Sequence, residues 1–388
     1  MPGGLGTWLF WLGLGFVAFT YAGYPVLIAL LARLRARGAT RGLPAERAAW
    51  PMVTVVVAGH DAAAAWPAKL ETLAALDWPR ERLELIAVDD GSSDDSRAVL
   101  ATAAAGEVWQ GRLRVVAQER RSGKPSALNA AVALARGEVL LMNDVRQRLD
   151  PGALRALVAA LKDPAVGVVG GELRLEGAGG AGAYWLYEAW IRKQEGRYDS
   201  TLGVSGALYV MRRELWQDIP ADTVLDDMLI PLRARLGGKR ILFEPDAQAF
   251  DRTADTQREF GRKARTLAGN YQLFARTPRL LVPFLCPLWW QLWCHKVFRL
   301  LVPWALLTVL CTNVWLVAHG SVLYRAPLVA QGAAYLGALA GALRERGGGK
   351  GGGLGGMLLG LCWTFVSLNA AAVVGLWRWL TGAQRITW

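Results

Sequence analysis

From Trp8 to Ala32 the chain runs "WLFWLGLGFVAFTYAGYPVLIALLA" without one charged side chain. That exceeds the ~20 apolar residues needed to cross a bilayer and is too long for the apolar core of a signal peptide. The chain is therefore expected to open with a membrane span. Arg33, Arg35, Arg37, Arg41 and Arg47 follow, against Glu46 alone. By the positive-inside rule this arm puts the next segment in the cytoplasm and the N-terminus outside.

After about residue 283 the chain turns apolar again. "LVPWALLTVLCTNVWLVA", residues 321 to 343 and residues 354 to 377 are each long enough to span. About four spans in all would place the basic loop "RERGGGK" inside and the tail "TGAQRITW" outside. Ahead of them, "RLLVPFLCPLWWQLWCHKVFRLL" mixes Trp, Phe and basic residues, which suits a helix lying along the headgroups; an ordinary buried helix is the alternative. Three regions follow: residues 1–49, a transmembrane helix and basic arm; 50–278, a cytoplasmic domain; and 279–388, the interfacial helix and about three C-terminal spans. The net charge of +12 then has a membrane explanation, since arginines beside spans meet anionic lipid. No aromatic-and-basic motif calls for nucleic acid. Cys286, Cys294, Cys311 and Cys362 all lie in the apolar C-terminal third and read as small apolar residues. His60, His295 and His319 are too scattered for a zinc site.

Between Trp50 and Pro278, short β-branched runs alternate with longer helical segments, the pattern of strand-helix units around a mostly parallel sheet. "MVTVVVAGH", "LELIAVDDGS", "LRVVAQE" and "EVLLMND" read as strands. "AWPAKLETLAALDW", "RAVLATAAAG" and "SALNAAVALARG" read as the helices between them. Asp61, Asp90 and Asp144 each fall just past a strand's carboxyl end, and in a doubly wound sheet those ends share one ligand-binding edge. The turn after the second strand carries Asp89, Asp90, Asp94 and Asp95; helix capping accounts for one or two of these at most. A nucleoside diphosphate explains the convergence. One carboxylate accepts from a base or ribose, another holds a divalent cation on the phosphates, and Lys124 in "RSGKPSALN" adds positive charge. No G-x-G-x-x-G follows the first strand and no G-x-x-x-x-G-K-[ST] occurs, which argues against a dinucleotide enzyme and a P-loop NTPase. The glycine-rich "GGELRLEGAGGAG" reads as a flexible loop.

In this order the segments resemble the membrane-bound family-2 glycosyltransferases, the group of the cellulose, hyaluronan, chitin-oligosaccharide and poly-N-acetylglucosamine synthases. "VTVVVAGHDA" is similar to the opening strand, "LDWPRERLELIAVDDGSSDDS" to the uridine-contacting strand and turn, and "SGKPSALNAAVALARGEVLLMND" to the segment leading to the metal motif. "GVSGALYVMRREL" is similar to the acceptor-side loop, "VLDDMLIPLRARLGGKRILFEPDA" to the segment carrying the base, and "REFGRKARTLAGNYQLF" to the Gln-x-x-Arg-Trp region.

The resemblance implies a GT-A (nucleotide-diphospho-sugar transferase) α/β domain with transmembrane helices, in a bacterial-type inner membrane with its catalytic domain in the cytoplasm. It implies inverting transfer from a UDP-sugar to a saccharide or lipid-linked acceptor in cell-surface glycan synthesis, with polysaccharide-export proteins as possible partners. Asp227, with Asp226 beside it, would be the base; an N-cap pair is the other reading of these two acids. Asp61, Asp89, Asp90, Lys124, Arg146, Arg262 and Arg265 would face the nucleotide. Asp144 would hold Mg²⁺ or Mn²⁺, and Gly206 and Thr266 would meet the acceptor. The chain departs from the family at Asp61-Ala62, where Asn-Glu is usual, and at Arg146, where Asp-x-Asp would have its second carboxylate. Asp226-Asp227 replaces Glu-Asp, Arg262 replaces the glutamine, and Thr266 replaces the tryptophan that stacks on a growing sugar chain. A non-processive or short-product enzyme is expected. A transferase acting on polyprenyl phosphate, using arginines between 276 and 299, is the close alternative, and an inactive sugar-nucleotide-binding export partner is the other.

Overall fold

The computed structural model describes residues 4–35, 42–43, 46, 49–176, 180–252, 256–347 and 353–384. Arg37, Arg41 and Arg47 of the basic arm, residues 348–350 of the basic loop and residues 385–388 of the tail lie outside them. The chain divides into two compact units: a helical unit of Met1–Leu31, Gly177–Ile191 and Thr253–Gln384, and an α/β unit of Ala32–Glu176 and Arg192–Arg252.

The chain begins with α1 (Gly4–Ala18) and α2 (Tyr24–Leu34), joined through a π-helical turn at Phe19–Gly23. In the α/β unit the expected alternation is present as β1 (Val53–Gly59), α3 (Trp66–Ala74), β2 (Leu83–Asp89), α4 (Ser96–Ala105), β3 (Leu113–Ala117), α5 (Lys124–Val132) and β4 (Val139–Met142). β1 and β2 are buried at every residue, which explains their continuous Val, Leu and Ile runs: a strand covered on both faces has no polar side to alternate with. β5 (Arg148–Leu149), α6 (Ala153–Ala160), β6 (Val166–Glu176), α7 (Gly180–Tyr198), β7 (Tyr209–Arg212), α8 (Asp226–Leu236) and β8 (Arg240–Arg252) follow. The eight-stranded sheet has the order β3-β2-β1-β4-β7-β6-β8-β5. Its first four strands are parallel, whereas β7 runs antiparallel to both β4 and β6, so the sheet is wound in parallel on one side and mixed on the other.

"GGELRLE", expected in a loop, is the second half of β6, while residues 177–179 of that expected loop lie outside the described residues. Gly170 and Gly171 are strand residues because the neighbours come too close for a side chain: a Cβ on Gly171 would lie 2.7 Å from the Ala247 carbonyl oxygen. β8 bulges where Gly171 pairs with Glu244 but Glu172 with Gln248. Pro245, which lacks an N–H, falls in that bulge, where no ladder bond is lost.

The remainder of the helical unit is α9 (Thr256–Arg276), α10 (Trp289–Leu292), α11 (Phe298–Ala318), α12 (Arg325–Arg346) and α13 (Gly353–Leu380). Among the described residues four helices are long and apolar enough to cross a membrane: Gly4–Leu34, Trp289–Ala318, Val322–Arg346 and Gly353–Leu380. The segment read as an interfacial helix is divided. Pro278–Leu281 forms a short 3₁₀ turn, while Trp289 onward continues through a π turn into the second span. Small residues let the helices close. A Cβ on Gly375 of α13 would stand 2.8 Å from the Ala268 nitrogen of α9, so this crossing brings backbone onto backbone.

Unforeseen in the sequence is a buried polar cluster in this unit. Glu188 of α7 accepts from Arg299 and lies 3.3 Å from His295 Nε2. The Arg299 guanidinium also stands over the rings of Tyr21 and Tyr187, 5.8 Å from each centroid. Pairing offsets the cost of a buried guanidinium, and a glutamate outside the four spans supplies the pair.

Candidate active site

The parallel half of the sheet ends its strands on one edge, and the turns there interlock. Asp61, in the left-handed region at φ 47°, accepts from the Ser93 amide (2.8 Å) and hydroxyl (3.1 Å) through one oxygen. The Ser93 amide in particular holds the Asp61 carboxyl below the usual aspartate range. Asp94 completes the clasp by accepting from the Ala63 amide at 2.9 Å and the Ser96 amide at 3.0 Å. Asp89 is fully buried and accepts from Arg97 Nε at 2.7 Å. The acids of this turn thus lock the β1 and β2 turns together, with Asp94 capping the start of α4 in place of the N-cap residue Asp95.

Asp90 is also fully buried. Its two oxygens accept from the Ser122 amide at 2.7 Å and the Gly123 amide at 2.8 Å, which fixes the entry into α5 at Lys124. Gly91 makes the approach possible: it sits at φ 65°, and a Cβ there would meet Arg120 and Arg121 backbone at 2.5 Å.

Lys124 reaches two acids at once. Its ammonium stands 2.9 Å from Asp144 and 3.0 Å from Asp226. Burial works against the ammonium, yet Asp144 and Asp226 outweigh it and hold its pKa well above the usual lysine value. Asp144 comes from the turn after β4, and the register explains what meets it. Met142 pairs antiparallel with Tyr209, so the residues leaving β4 run beside those entering β7. A Cβ on Gly206 would lie 3.3 Å from Lys124 Nζ, 3.8 Å from Asp227 Cβ and 3.9 Å from Asp144 Oδ2. Asp226 and Asp227 are the first two residues of α8, where the N–H groups of an opening helix favour anions; the N-cap is Leu225, so neither acid is the cap. Asn129 of α5 holds the approach to α8 by exchanging two hydrogen bonds with the Ile219 backbone at 2.8 and 3.0 Å.

Lys124, Asp144 and Asp226 are therefore joined by ion pairs, Gly206 and Asp227 lie beside them, Asp90 holds the turn that leads into Lys124, and Asp61 and Asp89 stand in the turns that brace the group. Arg146 is exposed on the Asp144 turn. Arg262, Arg265 and Thr266 belong to α9 of the helical unit, with Arg262 and Thr266 exposed and Arg265 half-buried.

Two residues of the α/β unit were not singled out in the sequence. Tyr209 is 1% exposed and its hydroxyl has no hydrogen-bond partner among the described residues; burial, and next the charge of Asp226, raise its pKa and keep the phenol neutral. Lys69 is 2% exposed on α3. Its signal was legible, since a lysine in the stripe Trp66, Lys69, Leu70, Leu73 occupies an apolar position of an amphipathic helix.

Among the described residues no three His, Cys, Asp or Glu side chains converge as a metal cage. The donor set still suits a hard cation held in the Mg²⁺ manner, by one or two carboxylates and substrate phosphates, because Asp144 lies half-buried at the open edge.

The family description "Glycosyl transferase family 2" matches residues 54–219, and "Glycosyl transferase family group 2" matches residues 143–329. The probable glycosyltransferase YdaM of Bacillus subtilis (strain 168) is 25% identical over 241 residues, which cover 57% of this chain and 55% of that protein. The uncharacterized protein MT1568 of Mycobacterium tuberculosis (strain CDC 1551 / Oshkosh) is 34% identical over 93 residues, 24% of this chain and 28% of its own length. The chain thus spans about half or less of the curated relatives it matches. Among solved structures, the mannosyltransferase PcManGT from Pyrobaculum calidifontis, in complex with GDP-Man and Mn²⁺, superposes with a TM-score of 0.73 at 24% identity, covering 96% of this chain and 99% of that one. The GT-A fold is shared over nearly the whole of both chains.

Proposed function

Because the chain belongs to the family-2 glycosyltransferases, we propose that it transfers a sugar, with inversion, from a nucleotide-diphosphate sugar to a saccharide or lipid-linked acceptor in cell-surface or exported glycan synthesis. The observation that carries this reading is Lys124 held between Asp144 and Asp226, with Gly206 open beside it and Asp227 next in line. An acceptor hydroxyl attacks the anomeric carbon and its proton passes to the Asp227 carboxylate. The bond from that carbon to the diphosphate oxygen breaks, and the nucleoside diphosphate leaves with the electron pair. Lys124 and Arg146 offset the charge that builds on the leaving group. A divalent cation, Mg²⁺ or Mn²⁺, would be held by Asp144 and would act as a Lewis acid on the diphosphate. A UDP-sugar is the donor proposed from the family motifs; PcManGT was solved with GDP-Man, so both nucleotides belong in any donor panel.

The catalytic domain is proposed to face the cytoplasm of a bacterial-type inner membrane, since Arg33 and Arg35 close the first span. A polyprenyl-phosphate acceptor remains the competing reading, although Arg299, one of the residues it invoked, is engaged by Glu188.

Product length follows from Thr266. An aromatic surface under a sugar is placed on the scale of an aromatic pair, ~0.5–1.5 kcal/mol beyond area burial, so its absence shortens acceptor residence by up to about tenfold. The Tyr271 ring is stacked on Trp379, with centroids 5.9 Å apart. At limiting enzyme, with oligosaccharide and prenyl-phosphate acceptors supplied in parallel, mass spectrometry should show one or a few sugars added to many acceptors of one class. High polymer alongside mostly unused acceptor would contradict this.

A further inference from the structure

Lys69 takes no part in the chemistry above, yet its place in the α/β unit is unusual. An ammonium buried this deeply is costly unless well paired. Its partners among the described residues are two neutral carbonyls: the side-chain oxygen of Asn143 and the main-chain oxygen of Gln147. Burial pushes Lys69 down to about 7, while the charges of Asp144 and Asp251 act in the other direction.

Its two partners bracket the turn that carries Asp144 and Arg146. Asn143 in turn donates through Nδ2 to the carbonyl of Ala207, the residue after Gly206. Gln147 donates through Nε2 to Asp251 Oδ2 at 2.8 Å, near the end of β8. One ammonium therefore grips both ends of the donor-side turn and, through Asn143, the acceptor-side loop. We propose that Lys69 is a positioning residue: by holding Asn143 and Gln147 it aims the Asp144 carboxylate at the donor diphosphate and locks the donor-side turn to the loop at Gly206. The position needs an N–H donor for this, because an apolar side chain of similar length would fill the same space but leave the Asn143 and Gln147 oxygens without their partner. Groups that orient a cation- or phosphate-binding side chain typically carry 10–100-fold in affinity or activity.

The inference rests on the reading that Asp144 faces the donor diphosphate, and one experiment separates the two. The full chain in nanodiscs is titrated calorimetrically with UDP and with GDP in the presence of Mn²⁺, per mole of folded protein, for the wild type, Lys69→Met, Asn143→Ala, the double variant and Asp144→Asn. Lys69→Met is expected to weaken the tighter nucleotide about 10–100-fold with little change in melting temperature. Lys69→Gln, which keeps an N–H donor, should recover part of the loss. The double variant should be no worse than the worse single one, because both act through one chain of hydrogen bonds. A folded Lys69→Met with wild-type affinity, or strictly additive losses in the double variant, overturns the inference while Asp144→Asn still loses binding. Unchanged binding in Asp144→Asn overturns the underlying reading instead. If Lys69→Met does not fold, Lys69→Leu, which also lacks an N–H donor, carries the comparison, and wild-type affinity there is equally contradictory.

Discussion

Asp90 acts through the backbone it holds. Both of its oxygens accept amides immediately before Lys124, so its first effect is to place that ammonium between Asp144 and Asp226. The acids at strand ends were legible in the sequence because each follows a short apolar run. The role of Asp94 as a clasp, and of Lys69 beneath Asn143, was not, since both depend on partners 31 and 74 residues away. Arg146, which stands where a second metal-binding carboxylate is usual, gives a test at this scale. Arg146→Asp should lower the Mn²⁺ concentration giving half-maximal activity by about tenfold, within the decades over which ligand charge tunes such sites. An unchanged titration would remove Arg146 from the vicinity of the cation.

At the scale of elements, the parallel strands β1 to β4 were readable, since burial on both faces demands unbroken apolar runs. The mixed half was not. β5 has two residues, β6 passes through paired glycines, and β8 carries a proline at its bulge, so each breaks the sequence pattern of a strand for a packing reason. A second clasp holds the opposite ends of the parallel strands. Glu84 of β2 accepts from Thr54 Oγ1 of β1 at 2.5 Å, the Arg136 amide at 2.6 Å and Arg136 Nε at 2.8 Å. Burial of Glu84 opposes its charge, but the donors of Thr54 and Arg136 prevail and keep its pKa below the usual glutamate value. A carboxylate with a lowered folded pKa contributes stability above its unfolded value, and that stability is lost as pH falls through the folded one. Glu84→Gln should therefore cost about 1–3 kcal/mol near neutral pH, and its melting temperature should approach that of the wild type below about pH 4.5. A gap independent of pH would mean that charge is not what Glu84 contributes.

For the whole molecule, the N-terminal apolar run and the apolar C-terminal third announced the four helices long and apolar enough to cross a membrane, the second of which begins at Trp289, inside the segment expected to lie along the headgroups. The Glu188–Arg299–His295 cluster stayed hidden because its acid lies over a hundred residues from its basic partners. We propose that the constellation at the sheet edge transfers sugar from a nucleotide donor with Asp227 as base. Its most direct test is nucleoside diphosphate release by the full chain in nanodiscs, across a panel of UDP- and GDP-sugars with oligosaccharide and prenyl-phosphate acceptors. The wild type should release nucleotide from one donor class only when an acceptor is present, and Asp227→Asn should lower that rate ~10²–10⁴-fold while still binding the nucleotide. No acceptor-dependent release from any donor, or undiminished release from Asp227→Asn, would contradict the account.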